Sequence, residues 1–332
     1  MLFTGTGTMK RKALLIILSL CFLIISLCIG GCHQQQRQAE HSKIVVDGAG
    51  RQVPVPLRPQ RIVSLNYGID EIVTALVPAE QIVAYSRWAG DEEITFLTKE
   101  QAQKVGKRVQ LTTEAIFSLR PDLVITSTAT DRALVDSLSS LGVPVVMTIN
   151  PTNYREMKLK VATVAQAVNR EAEGRQLLEK MDRRLLALQE KLDQLPLEKR
   201  KTVVAFSFSG AFGRRGMLFN SLLEEARIIN RAAVTLEDGT EAVIGKEQIV
   251  AVNPDIFLLP SWNYHKEADA VAYGRSIMED PAFAHVKAVV NKQGLVISDR
   301  YRFVSSHHII DAIEALAQGV YPELFTEVKK ND

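Results

Sequence analysis

Beyond residue 32 this 332-residue chain contains no cysteine. The folded body therefore holds no internal disulfide and no cysteine-bound metal, and its stability must come from its apolar core. Histidine is scarce. Only His265, His285, His307 and His308 follow the first fifty residues, all in the second half. A manganese or zinc site fed by His, Asp and Glu from two halves of a chain is poorly served by that distribution. Charge of one sign is also lacking. The formal net charge is +2, which gives no footing for a nucleic-acid partner. No Gly-x-Ser-x-Gly elbow, Walker-type phosphate loop or strand-borne Gly-x-Gly-x-x-Gly appears, and no Ser/His/Asp spacing singles out a triad. An anchored α/β enzyme is the weakest reading of the chain, and no cofactor is implied.

Long apolar runs are absent except for one, Ala13 to Ile29, which follows Lys10-Arg11-Lys12. Gly30 and Gly31 lead to Cys32, and polar residues come next. A basic start, an apolar stretch and small residues at the cut make a secretory signal over residues 1–31. Its 17 residues stand at the lower limit for a membrane-spanning helix, the competing reading. Small residues before a cysteine resemble the lipobox of bacterial lipoproteins, with Ile29 where leucine is usual. That resemblance implies acylation of Cys32; an incidental cysteine after an ordinary cleavage site is the alternative. Met9 is a second possible translation start. Residues 32–43 read as a polar tether.

The rest alternates strands and helices, the pattern of a parallel α/β architecture. Strand candidates are Ile62–Leu65, Ile82–Tyr85, Leu123–Thr126, Val143–Met147, Thr202–Phe208, Ile256–Leu259 and Leu295–Ser298. Helical segments are expected at Asp70–Leu76, Arg132–Leu141, Leu218–Ala226, Lys246–Val252 and Ser306–Gln318. From Tyr154 to Leu195 the pattern is helical throughout, and Gly174 is expected to break it. The expected organisation is an α/β lobe over residues 44–168, a bridging helix over 169–198 and a second α/β lobe over 199–332. An internal repeat supports two related units. Glu114 to Ile125 matches Glu247 to Leu258 at an offset of 133 residues, sharing Glu, Ile, Pro and Asp. Each copy reads as a short helix, a Pro-Asp turn and a buried strand.

Several segments together resemble one family. They are Asp47-Gly-Ala-Gly-Arg51 with Pro59-Gln-Arg-Ile-Val-Ser-Leu65, then Leu119-Arg-Pro-Asp-Leu-Val-Ile125, Asn291-Lys-Gln-Gly-Leu-Val296, and Ala312 to Phe325 with Tyr321-Pro322. Over about residues 43–326 the chain resembles the substrate-binding lipoproteins of ABC importers for ferric siderophores, haem and cobalamin. The resemblance implies a class III fold, two α/β lobes with central parallel sheets bridged by a long helix, and a ligand held in the cleft between them. It implies a monomer partnered by a permease dimer with its ATPase subunits. It also implies one docking glutamate per lobe, which falls on Glu114 and Glu247. Helix capping is the competing reading, since acids are favoured in a first turn and Thr112 and Thr113 suit an N-cap.

Ligands of open α/β sheets sit beyond the carboxyl ends of strands. The loops expected there carry Asn66, Tyr67, Arg87 and Trp88 in the first half, and Arg214, Arg215, Trp262, Tyr264, Tyr301 and Arg302 in the second. Ser127-Thr128, Ser209, Phe212, His265 and Arg300 stand in the same loops. Aromatic walls suit a large organic ligand, and guanidinium groups suit an anionic one. The leading expectation is a ferric siderophore-type iron chelate, with a corrinoid or haem as the alternative. His307-His308 are expected at the start of the last helix rather than on a metal. The segment Val105–Gln110 offers no Tyr, His or Met, which weighs against haem but leaves Tyr67, Met217 and His265 open.

Overall fold

The structure, a computed structural model, describes residues 42–235, 244–261 and 269–326. The signal and Cys32 lie outside these residues, as do Trp262, Tyr264 and His265.

The first lobe opens with an antiparallel hairpin, β1 (Ser42–Val46) and β2 (Gln52–Pro56). Asp47 builds its turn. One carboxylate oxygen accepts from the Ala49 and Arg51 amides, and the other binds the Arg51 guanidinium at 2.7 Å. Then come β3 (Ile62–Ser64), α1 (Tyr67–Leu76), β4 (Ile82–Ala84), α2 (Lys99–Val105), α3 (Thr113–Ser118), β5 (Leu123–Ser127), α4 (Arg132–Ser140) and β6 (Val145–Thr148). The four strands β3 to β6 form a parallel sheet in the order β4-β3-β5-β6. Every residue of β3, β5 and β6 is buried, as expected of strands covered on both faces.

Helix α5 (Tyr154–Ala167) and the bridging helix α6 (Glu171–Leu192) follow. The 22 residues of α6 span about 33 Å at 1.5 Å each. The break between them differs from expectation. It falls at Asn169, which takes a left-handed φ of 56°, while Gly174 lies inside α6. A Cβ on Gly174 would come within 2.5 Å of the Ala165 Cβ. This glycine therefore serves the close crossing of α5 and α6, which a sequence pattern does not distinguish from a helix end.

The second lobe contains β7 (Thr202–Ser207), β8 (Gly210–Phe212), α7 (Leu218–Glu225), β9 (Ile229–Asn230), α8 (Arg231–Thr235), α9 (Lys246–Val252), β10 (Ile256–Leu259), α10 (Ala270–Met278), α11 (Lys287–Val290), β11 (Gly294–Val296), α12 (Asp299–Arg302) and α13 (Ile309–Val320). Its sheet runs β11-β10-β7-β8, with β9 also on β7, and only β8 is antiparallel.

The sequence repeat is a structural repeat. Helices α3 and α9 each end on a left-handed residue, Arg120 at φ 48° and Asn253 at φ 43°. Pro121 and Pro254 follow and lead into the central strands β5 and β10. Asp122 accepts the Gln60 and Arg61 amides at 2.7 and 2.9 Å, just ahead of β3. Asp255 accepts the Thr202 amide at 2.9 Å and its hydroxyl at 2.7 Å, at the start of β7. In both lobes the Pro-Asp aspartate ties the neighbouring parallel strand into register.

One apolar cluster runs from α1 and β3 through α5, α6 and α13 to β7 and α7, so the lobes share a core beneath the bridge. A polar clamp adds to it. Glu71, on α1, accepts from the Thr95 hydroxyl at 2.5 Å, the Phe96 amide at 2.8 Å and the Ser306 hydroxyl of the second lobe. Lys160, fully buried on α5, donates to the Ser305 carbonyl and hydroxyl, each at 2.7 Å. Burial lowers the Lys160 ammonium to about 8 despite the Glu71 carboxylate. Phe96 of the first lobe stacks on His308 at 4.4 Å and meets Tyr301 edge-on at 5.3 Å.

Candidate functional site

At the carboxyl ends of β3, β4 and β5 the first lobe opens into a cavity of 550 Å³. It is lined by Asn66, Tyr67, Ser86, Arg87 and Trp88, with Gln110, Leu111 and Asp131 on its rim. The four first-lobe residues expected from sequence thus meet in one place. Arg87 is exposed and its guanidinium lies 4.4 Å from the Trp88 ring centroid. That stack presents a flat cationic surface, since guanidinium groups favour aromatic faces.

Two of these four also have structural duties. The Asn66 side chain accepts the Gly68 amide at 3.0 Å and caps α1. The Tyr67 hydroxyl donates to the Phe303 carbonyl of the second lobe at 2.6 Å. Burial pushes the Tyr67 phenol well above its ordinary range, with the Glu71 carboxylate adding to the effect. Behind the cavity, Asp70 accepts the Ser86 amide at 3.1 Å and hydroxyl at 2.6 Å. Its burial raises the carboxyl to about 7, against the lowering effect of its serine hydrogen bonds. Asp70 thereby fixes the β4 exit that carries Arg87 and Trp88.

The described second-lobe residues are dispersed. Tyr301 stays half-buried against Phe96, and the Arg300 guanidinium sits over both rings at 5.1 and 5.2 Å. Arg214 is half-buried in the loop after β8. Arg215 is not at the cleft. It lines a separate cavity of 490 Å³ with Arg200 and Arg227, near the amino ends of β7 and β9. Because β8 runs antiparallel to β7, it carries the following loop back toward that end. Arg302 is also displaced from the expected wall, being 2% exposed. It lies on the same face of α12 as Asp299, which its guanidinium meets at 2.7 Å, and it also donates to the Phe206 carbonyl. Asp299 in turn accepts the Ser261 amide at 2.9 Å. Arg302 therefore braces the exits of β7 and β10 from inside.

Sequence reasoning missed Phe96, Ser86 and the Glu71–Lys160 clamp. Phe96 follows no strand, so the strand-exit rule does not reach it. His307 and His308 stand at the start of α13. His308 pairs with Asp311, which also binds Arg184 at 2.7 Å. Burial lowers His307 to about 3. Among the described residues no group of three or more His, Cys, Asp or Glu is placed to hold a metal ion.

Glu114 and Glu247 are both exposed in the first turns of α3 and α9. Neither carboxylate is used as a cap. Thr112 accepts the Ala115 amide at 3.2 Å, and the Gln248 side chain accepts the Gly245 amide at 2.9 Å.

Two parallel-sheet lobes, a helical bridge and a cavity at the strand ends define a two-lobed solute-binding protein. The chain belongs to the periplasmic binding protein family, whose model matches residues 62–301. That family is one of transport substrate-binding proteins and not of enzymes. The chain is 23% identical over 336 residues to the uncharacterized ABC transporter substrate-binding lipoprotein YvrC of Bacillus subtilis, covering 96% of this chain and 99% of the relative. Among solved structures it resembles the molybdate-bound MolA of Haemophilus influenzae, at a TM-score of 0.69 and 19% identity over 86% of this chain and 94% of the other. It also resembles the periplasmic haem-binding protein RhuT of Roseiflexus sp. RS-1, at a TM-score of 0.66 and 22% identity over 80% of this chain and 99% of the other. The family and the two-lobed α/β fold are those implied by the sequence motifs. Among the described residues no helix is long and apolar enough to cross a membrane.

Proposed function

We propose that this chain is the extracytoplasmic binding component of an ABC importer, lipid-anchored through Cys32, and that it carries a ferric siderophore-type chelate to its permease. The observation that carries this reading is the Arg87–Trp88 stack in a 550 Å³ cavity at the strand ends. A volume of that order suits a sizeable organic ligand. An arginine on an indole suits an anionic, partly aromatic one. The ligands named for MolA and RhuT, molybdate and haem, are both anionic, which agrees with that chemistry. A corrinoid or haem held by the same cavity is the alternative. Haem coordination by Tyr67 is disfavoured because its hydroxyl donates to the Phe303 carbonyl. Trp262, Tyr264 and Tyr301 are assigned to the facing wall, with the protein acting as a monomer. Glu114 and Glu247 are assigned to docking on the two permease subunits.

The test is tryptophan fluorescence of residues 33–332, titrated with ferric hydroxamates, ferric catecholates, haemin, cobalamin and molybdate. Saturable quenching by one ferric chelate at submicromolar concentration, about −8 kcal/mol or better, is expected. Saturation by haemin or cobalamin alone replaces the chelate with the alternative. Silence toward all five, with a cooperative melt intact, refutes the assignment.

A further inference from the structure

The two copies of the repeated motif agree in more than sequence. Counting from each glutamate, Ile116 and Ile249 at the second position on are buried, and Leu119 and Val252 at the fifth are half-buried. Between them, at the third position, both copies turn a large apolar side chain outward. Phe117 is 46% exposed and Val250 41% exposed. Residues three apart share one face of a helix, so each apolar group lies beside its exposed glutamate. Single exposed apolar residues are ordinary on protein surfaces, and this chain has others. What distinguishes this pair is its place one turn after an exposed glutamate, in both lobes. The buried Ile116 and Ile249 already hold α3 and α9 to their lobes.

We infer that Phe117 and Val250 are apolar anchors of the permease-docking surface, each working with the glutamate one turn before it. The inference rests on the docking reading of Glu114 and Glu247. The partner it fits is a membrane permease of two like subunits, each offering a basic site flanked by an apolar recess. A second copy of this chain is a poor occupant, because it would set carboxylate against carboxylate. The division of labour follows from the physics. Exposed charges steer encounter and set its salt dependence. Desolvated aromatic and aliphatic anchors slow dissociation.

The experiment measures association and dissociation of the full-length protein on its cognate permease–ATPase complex in nanodiscs. The Phe117→Ser/Val250→Ser variant is expected to dissociate about ten-fold faster, with the association rate within about two-fold of wild type. The Glu114→Gln/Glu247→Gln variant is expected to associate more slowly and to lose its dependence on ionic strength. Leu141→Ser/Val290→Ser is the control. These residues are 50% and 62% exposed but lie just ahead of β6 and β11, at the ends of the lobes away from the cleft. They are expected to leave both rates unchanged. If the Phe117/Val250 variant leaves at the wild-type rate while the glutamate variant binds slowly, the anchors are refuted and the docking reading stands. If the glutamate variant binds as wild type, the docking reading fails and the anchors fall with it.

Discussion

The substitution Gly68→Ala tests the lobe clamp most directly. Gly68 lies on α1 beside Asn66 and Tyr67, with the Ser305 backbone of the second lobe packed against it. A Cβ there would fall 2.1 Å from the Ser305 carbonyl oxygen and 2.6 Å from its carbonyl carbon. Ordinary contact needs about 3.4 Å, so the helix and the loop must part by more than about 1 Å. Neither neighbour is a flexible side-chain end that swings aside. Overpacking of this kind costs about 1–3 kcal/mol. The same displacement stretches the Lys160–Ser305 hydrogen bonds, and leaving that buried ammonium unsatisfied costs about 1–3 kcal/mol. A total on the order of 4 kcal/mol corresponds to a melting-temperature drop on the order of 10 °C for a protein of this size. Thermal melts by circular dichroism measure it, with Gly50→Ala as reference. Gly50 has a left-handed φ of 76° and nothing within 4 Å of its Cβ position, so its loss is confined to backbone strain of about 1 kcal/mol. A Gly68→Ala protein that melts as high as Gly50→Ala would show that the lobes are not fastened at this point.

Other expectations follow from single side chains. Asp70 takes its proton at about 7 in the folded protein and near 3.8 when unfolded. The folded state therefore holds a proton that the unfolded chain has lost between those values, and stability contributed by the site declines as pH rises from about 4 to 7. Asp70→Asn should remove that decline, gaining on wild type by an amount on the order of 4 kcal/mol by pH 8. Parallel urea titrations between pH 4 and 8 that keep a constant difference would refute it. Arg302→Leu leaves the Asp299 carboxylate buried without its cation and is expected to cost about 3–5 kcal/mol in denaturant unfolding. A loss below about 1 kcal/mol would show that the pair is not structural. Arg87→Lys keeps the charge but loses the planar stack on Trp88, so chelate affinity should fall about ten-fold with the melt unchanged. Undiminished affinity in the fluorescence titration would remove Arg87 from the site.

The parts legible in the sequence were those written in local chemistry. The Pro-Asp turns announced the strands β5 and β10 because proline ends a helix wherever it stands. The exits carrying Asn66, Tyr67, Arg87 and Trp88 were legible because buried parallel strands read as apolar runs. Gly174 was misread because a helix end and a close helix crossing both ask for glycine. Arg215 and Arg302 were misplaced for a different reason. Their positions depend on the antiparallel turn of β8 and on the buried partner Asp299, and neither is visible from spacing along a strand. The clamp was invisible because its members are far apart in the chain. Lys160 alternates with Lys158 on a charged helix, and only the fold shows that Lys158 reaches outward to Asp182 at 2.7 Å while Lys160 turns inward to Ser305.

The clamp bears on how such a protein signals that it is loaded. Hinged binding proteins report occupancy by closing. Here a 22-residue helix, a common core, buried ties from Glu71 and Lys160 and the exposed Tyr67–Phe303 hydrogen bond all resist rotation of the lobes. Opening the lobes would strip partners from a buried carboxylate and a buried ammonium, at a cost of several kcal/mol. That is a large share of what a submicromolar ligand has to offer, about 8 kcal/mol. Rotation of the lobes is therefore expected to be small, with occupancy read through the loops at the cavity rim. The rim residue Leu111 lies three positions ahead of Glu114, so a ligand that orders the rim reaches the first turn of α3 directly. Small-angle X-ray scattering of the free and ligand-saturated protein should accordingly give radii of gyration equal within about 0.5 Å, while hydrogen exchange slows at residues 108–116. A contraction of 1 Å or more, with no change in exchange there, would mean that the ties yield to the ligand and that closure carries the signal after all.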